Sequence, residues 1–267
     1  MIKIAIMVPH GSGRKLTLRR LLNSIPLHEN IRTFIFNDTE KVLKEPEESK
    51  YVTVVNRDCR EHPSRIGCGY ARRELLKHLK TLGYDAVISV DDDSWFEKTA
   101  INRIIEAYNE KPQYNLYTTR VVQSREIRAS GRNMIIDDKK TLKSEEIRDR
   151  KEEYYEADWG IGTSMVFARK ALTGYDIPKV YIINDEAGYL EAIKCGLGKI
   201  LVVNKAFIHH KQDKVVPNHR SAEEIKRCAK QIWKEYDVDV VSHSKGLRRW
   251  AGLEEASVDE VQKFLNS

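Results

Sequence analysis

The sequence predicts an α/β protein, with a mostly parallel central sheet flanked by helices and a helical extension at the C-terminus. Three observations lead there. Short apolar runs alternate with amphipathic, helix-periodic segments through the first half of the chain. That alternation builds a parallel sheet, because two parallel strands need a crossover between them and a helix supplies it. At 267 residues, with 41% hydrophobic and 32% charged side chains, the chain can bury a large core and does not have a disordered composition. From about residue 220 the pattern turns helical.

The elements follow in order. The run "KIAIMVP" (3–9) reads as the first strand, "HGSGRK" as a loop and "LTLRRLLNSI" as a helix. The second strand is "IRTFIFND" (31–38) and the third "YVTVVNRD" (51–58). "YARRELLKHLKTLG" (70–83) carries leucines at helical spacing and a glycine stop. "YDAVISVDDD" (84–93) reads as the fourth strand and "TAINRIIEAYNE" as the helix after it. The stretch 120–156 is strongly charged and poor in core residues, and reads as a long excursion or mobile loop. Core patterns then resume: "MVFARKAL" as strand into helix, and "YIINDEAGYLEAIKCGLGKILVV" as helix and strand. The tail opens on a capping box, Ser221 with Glu224.

Several classes are set aside. No apolar run approaches the ~18 residues of a membrane span, and the N-terminus reads as a strand and not as a signal peptide. Cys59, Cys68, Cys195 and Cys228 show no C-x-x-C spacing, so reduced thiols in a cytoplasmic setting are expected, the host's cytoplasm for a viral protein. The net charge of +6 favours anionic partners only weakly, because both signs are mixed along the chain. "HGSGRK" lacks the spacing of a phosphate loop, and "GSG" is no dinucleotide fingerprint.

In open α/β sheets ligands sit beyond the carboxyl ends of the strands. Pro9-His10, Asn37-Asp38 and Asp91 to Asp93 fall at such ends. Asp91 and Asp93, two apart in an extended segment, project together and either hold a hard divalent cation or form a solvated turn before the next helix. Asp185 and Glu186 stand before a helical run, where an acid is either a general base or a partner of the helix dipole. His209 and His210 end a strand and point to opposite faces, so at most one joins a shared site. Gly67, Gly69, Arg65, Arg72 and Arg73 place guanidiniums and permissive backbone at a helix start, either a phosphate subsite or a turn with a basic helix face.

Taken in order, these segments resemble a family 2 glycosyltransferase of the GT-A fold. "IAIMVPH" and "FIFND" are similar to the family's first two strand ends, and "GCGYARRELLKHL" to its G-x-x-x-A-R helix start. "VISVDDDSW" resembles the D-x-D strand end, "GIGTSMVFARKAL" the small-residue segment, "NDEAGYLEAIKCGLGKI" the E-D helix and "AFIHH" the late histidine. The sequence departs from the pattern in "HGSGRK" after Pro9, in Asn184 where Glu is usual, and at Ile193 and Lys194, without the usual Arg.

The resemblance implies one GT-A (Rossmann-like) domain over 1–215, with a nucleotide-binding half (1–95) and an acceptor-binding half (96–215), and a helical extension over 216–267. It implies metal-dependent, inverting sugar transfer from a nucleoside-diphosphate donor, expected to be UDP-linked, to a hydroxyl on a glycan, protein or modified nucleic acid. By position, Pro9, His10 and Asp38 would line the nucleoside pocket, and Arg65 and Arg72 the base or phosphates. Asp91 would face the ribose or water on the metal, with Asp92 a bystander or in a supporting contact on the nucleotide side. Asp93 would bind Mn2+ or Mg2+ with His209 or His210, and Asp185 would be the general base. Two alternatives stand beside this: a nucleotidyltransferase, and a non-catalytic sugar-nucleotide or nucleic-acid binding module of the same fold.

Overall fold

The computed structural model describes residues 2–11, 15–44, 50–58, 67–123, 126–128, 131–148, 150–160, 162–178, 180, 183–211 and 222–267. The chain begins with β1 (Ile4–His10), α1 (Lys15–Ser24), β2 (Ile31–Asn37), β3 (Val52–Asn56), α2 (Cys68–Thr81) and β4 (Ala86–Ser89). It continues with β5 (Ser94–Phe96), α3 (Ala100–Glu110), β6 (Leu116–Gln123), β7 (Glu126–Arg128), β8 (Arg132–Ile136), β9 (Leu142–Glu146) and β10 (Tyr154–Ala157). A 3-10 turn (Gly162–Ser164) leads into β11 (Met165–Ala168), followed by α4 (Arg169–Gly174), α5 (Asn184–Lys194) and β12 (Ile200–His210). Three helices close the chain: α6 (Ala222–Tyr236), α7 (Lys245–Ala251) and α8 (Val258–Asn266).

The main sheet runs β10-β12-β6-β11-β4-β1-β2-β3. Its ladders β1–β2, β1–β4, β2–β3 and β12–β6 are parallel, as predicted, and β11 is antiparallel to both its neighbours. Both faces are covered, and the period of two sorts the side chains between them. Ala5 and Met7 of β1 join a core that includes Leu75, Leu76 and Leu79 of α2. Ile4, Ile6 and Val8 join the opposite core with Leu21 of α1 and Ile101 and Ile104 of α3. The buried positions of α6, Ile225, Cys228, Ala229 and Ile232, follow the i, i+3, i+4, i+7 stripe of an amphipathic helix. They share the first core with Met134 and Leu142 of the β8–β9 pair. No helix among the described residues is long and apolar enough to cross a membrane.

Two expectations are corrected. The "YDAVISVDDD" strand stops at Ser89, because the backbone turns at the aspartates: Ser94 N donates to Asp91 O (3.1 Å), and β5 follows. The acids therefore form a turn before a strand, not a cap on α3, which begins at Ala100. The 120–156 excursion is not a loop, since its described residues form the end of β6, then β7, β8, β9 and β10. β10 is an edge strand of the main sheet and β8 and β9 form a separate pair, so their few apolar side chains suffice where one face stays in water. β9 buries only Leu142 of its five residues. The capping Ser221 lies outside the described residues.

Candidate functional site

The aspartate turn is held from both sides. On one side, Val90 N donates to Met7 O of β1 (3.1 Å), and beyond it the carboxylate of Asp92 turns back to His10, with Oδ2 2.7 Å from Nδ1. Both residues are buried. On the other side, Ser94 of β5 pairs with His210 of β12, and Lys211 N donates to Asp93 O (3.0 Å). With Asp92 engaged behind, Asp91 and Asp93 come together with His210, whose Nε2 lies 3.1 Å from Asp93 Oδ1. One ligand atom from each of Asp91, Asp93 and His210 lies within 4.8 Å of the others. Two carboxylates this close repel each other. Two carboxylate oxygens and an imidazole nitrogen are a donor set that could hold a divalent metal ion.

His209, the neighbouring residue on the strand, takes the opposite face. Its ring stacks on Trp95 at 5.1 Å and 2°, and the Arg20 guanidinium lies 3.3 Å over the same indole. The structure brings His210, and not His209, to the aspartates.

Arg72, on the second turn of α2, donates from Nη2 to Asp91 Oδ1 at 2.5 Å and is itself buried. Burial works against its charge, but neighbouring negative charge, that of the Asp91 and Asp185 carboxylates included, prevails and raises its pKa. Cys68, the first residue of α2, lies with its sulfur 3.9 Å from Asp91 Oδ1, and burial pushes its thiol up to about 12.

Asp185 stands in the first turn of α5, where the helix dipole favours negative charge. The residue ahead of the helix, Ile183, has φ 65° and ψ 34°, a left-handed conformation that a β-branched side chain rarely adopts. Strain of this kind is concentrated at functional sites. Gly162 N donates to Asp185 Oδ1 at 2.9 Å, and Arg132 Nη1 stands 3.9 Å from Oδ2. A Cβ on Gly162 would lie 2.5 Å from Asp185 Oδ1 and 3.5 Å from Arg72 Nη1, so glycine is what lets the three groups meet. The neighbouring Glu186 has its pKa raised, first by burial and then by the Asp185 carboxylate.

The remaining expected residues lie at the ends of β1 to β3. Pro9 is buried in β1, past the last β1–β4 pair, Met7–Ser89. Asp38 is buried, with Oδ1 3.1 Å from Arg57 Nε and Oδ2 accepting from Gly67 N (2.9 Å). It ties the ends of β2 and β3 to the start of α2. Arg65 lies outside the described residues. Sequence reasoning missed Arg57, Arg132, Gly162 and the His10–Asp92 contact. Arg57 had a usable signal, its place one residue past β3. Arg132 had none, because it lies in the charged stretch that forms β8, far along the chain from Asp185.

No family profile matches the chain, and no curated protein matches it by sequence. Solved structures do resemble it. GalNAc-T7, solved with UDP, GalNAc and Mn2+, superposes with a TM-score of 0.63 at 15% identity, covering 100% of this chain and 54% of its own. S. aureus TarS, residues 1–349, gives a TM-score of 0.61 at 14% identity, covering 99% of this chain and 78% of its own. The same TarS fragment with UDP-GlcNAc gives 0.60 at 13%, covering 99% and 79%. The chain thus spans about half the length of the GalNAc-T7 chain. At these identities the likeness speaks for architecture alone: this chain has the GT-A glycosyltransferase fold.

Proposed function

We propose that the protein is a metal-dependent glycosyltransferase that moves a sugar from a UDP-linked donor to an acceptor hydroxyl, with inversion at the anomeric carbon. The observation that carries this reading is the grouping of Asp91, Asp93 and His210 beside a separate carboxylate, Asp185, with buried Arg72 next to both. UDP and Mn2+ with GalNAc-T7, and UDP-GlcNAc with TarS, support a nucleotide-sugar donor.

Mn2+ or Mg2+ held by Asp91, Asp93 and His210 would offset the charge that grows on the departing diphosphate. Arg72 adds a fixed positive charge beside that group. Asp185 has Oδ1 committed to the Gly162 N–H, which leaves Oδ2 to take the proton from the acceptor hydroxyl as its oxygen attacks the anomeric carbon. Arg132 flanks that oxygen and orients it. Glu186, with its raised pKa, keeps its proton to higher pH and leaves the base role to its neighbour.

The test is UDP release from a panel of UDP-sugars, with and without Mn2+, after thermal-shift screening for the donor. Metal-dependent release is expected, with losses of about 10²-fold or more in Asp93→Ala and Asp185→Asn. Full activity in both variants refutes the site. A thermal shift without any UDP release favours the non-catalytic binding module.

A further inference from the structure

We propose that His10 is a positioning residue for the metal-binding turn and acts through Asp92. The inference rests on the reading of Asp91, Asp93 and His210 as a metal site.

The first support is register. β1 and β4 pair in parallel from Ile4–Ala86 to Met7–Ser89, and each pair is separated by the same number of residues as His10 and Asp92, 82. The backbone ladder ends at Met7–Ser89, and three residues further along each chain a side-chain contact, His10 Nδ1 to Asp92 Oδ2, joins the two segments again. His10 and Asp92 thus take over the ladder's work at the point where the β4 segment turns away.

The second support is burial and chemistry. His10 is 2% exposed and Asp92 8%. A buried carboxylate must be paired. Nδ1 of His10 and Oδ2 of Asp92 stand 2.7 Å apart, within hydrogen-bond distance. A histidine at the end of β1 therefore does not lie open to a nucleoside, and its ring faces the middle acid of the turn.

The third support is what the bond does to the other two acids. Asp91 to Ser94 is a hydrogen-bonded turn, and its far end is fixed by the Ser94–His210 pair and by Lys211 N on Asp93 O. Asp92 is the near anchor. With its carboxylate drawn back to β1, only Asp91 and Asp93 are presented to His210. Release of Asp92 lets the turn rotate and brings a third negative charge toward the same space. Residues that orient ligands in this way change metal affinity by about 10–100-fold when they are removed.

The experiment measures binding of Mn2+ alone to the full chain, by the loss of the free-ion electron paramagnetic resonance signal, at a temperature where circular dichroism shows every variant folded. His10→Ala and Asp92→Ala are each expected to weaken Mn2+ binding about 10-fold or more. The double variant is expected to be no weaker than either single one. His10→Asn, whose amide nitrogen can stand in for Nδ1, is expected to restore binding, which a general loss of packing would not do. Asp93→Ala serves as the control and is expected to abolish binding. Wild-type affinity in both His10→Ala and Asp92→Ala overturns the proposal while Asp93→Ala upholds the metal site, and so does a His10→Asn variant as weak as His10→Ala. A wild-type protein that takes up no Mn2+ overturns the metal reading itself and this proposal with it. Should His10→Ala fail to fold, Asp92→Ala against Asp92→Asn, which keeps the acceptor oxygen, makes the same comparison.

Discussion

Arg72 Nη2 lies 2.5 Å from Asp91 Oδ1, and Nη1 of the same guanidinium points to the Gly162 edge that holds Asp185. One buried cation thus stands beside acids from two distant parts of the chain, at the end of β4 and in the first turn of α5. Arg72→Met keeps much of the volume and removes the charge. Breaking a buried ion pair costs about 3–5 kcal/mol, and less here because the Asp91 side chain is 22% exposed. Denaturant unfolding should therefore show a loss of about 2–3 kcal/mol. Mn2+ should stabilise Arg72→Met more than the wild type, since a cation at Asp91 replaces part of the missing charge. Equal stabilisation of both proteins by Mn2+ would count against this account of Arg72.

Gly162→Ala tests how closely Asp185 is held. The new methyl would stand 2.5 Å from Asp185 Oδ1, too near for any real contact, so the carboxylate or the 3-10 turn must shift. A displacement of about 1 Å at a catalytic group can cost 10²-fold in rate. The expected result is a fall in kcat of that order, with the thermal melt and Mn2+ binding close to wild type, because Asp91, Asp93 and His210 lie on other elements. A variant with unchanged kcat would show that Asp185 does not need the Gly162 N–H.

The strand ends were legible in the sequence because their signals are local. An apolar run followed by acids at Asp91 to Asp93, or by histidines at 209 and 210, announces both the strand and what its tip carries. The choice between His209 and His210 was not local, since it depends on Trp95 and Arg20 claiming one face of β12. The 120–156 segment was misread for a related reason. β7 borrows β6 as its partner and β10 borrows β12, so few apolar residues of their own are needed to form them. Likewise nothing near His10 or Asp92 foretells their contact, which appears only once β1 and β4 are set in register.

Cys68 should be chemically quiet. The thiolate is the reactive species, and burial pushes this thiol up to about 12 although it stands beside Arg72. Native protein treated with iodoacetamide near pH 8 should leave Cys68 unmodified by peptide mass spectrometry, whereas urea-unfolded protein should be modified there. Rapid labelling of Cys68 in the native state would mean that the Arg72 charge outweighs burial.

The turn between β8 and β9 offers a test of stability against pH. Asp137 accepts from the Thr141 hydroxyl (2.6 Å), from Thr141 N (2.9 Å) and from Lys139 N (3.0 Å), and His243 Nε2 stands 3.4 Å away. The Thr141 hydroxyl first, then the Thr141 backbone N–H, lower its pKa from 3.8 to about 2. The turn also joins the hairpin to the C-terminal helices, through Leu142 N to Asp239 O and Asp239 N to Lys140 O, both 2.8 Å. The sign follows from linkage. The unfolded chain binds the proton more tightly than the folded one, so the ionised carboxylate stabilises the fold above the unfolded value. That contribution fades as pH falls from 3.8 through about 2. Asp137→Asn should melt below the wild type near pH 6, and the gap should close between about pH 4 and pH 2. A gap that stays constant across that range would assign the loss to hydrogen-bond geometry and not to the charge.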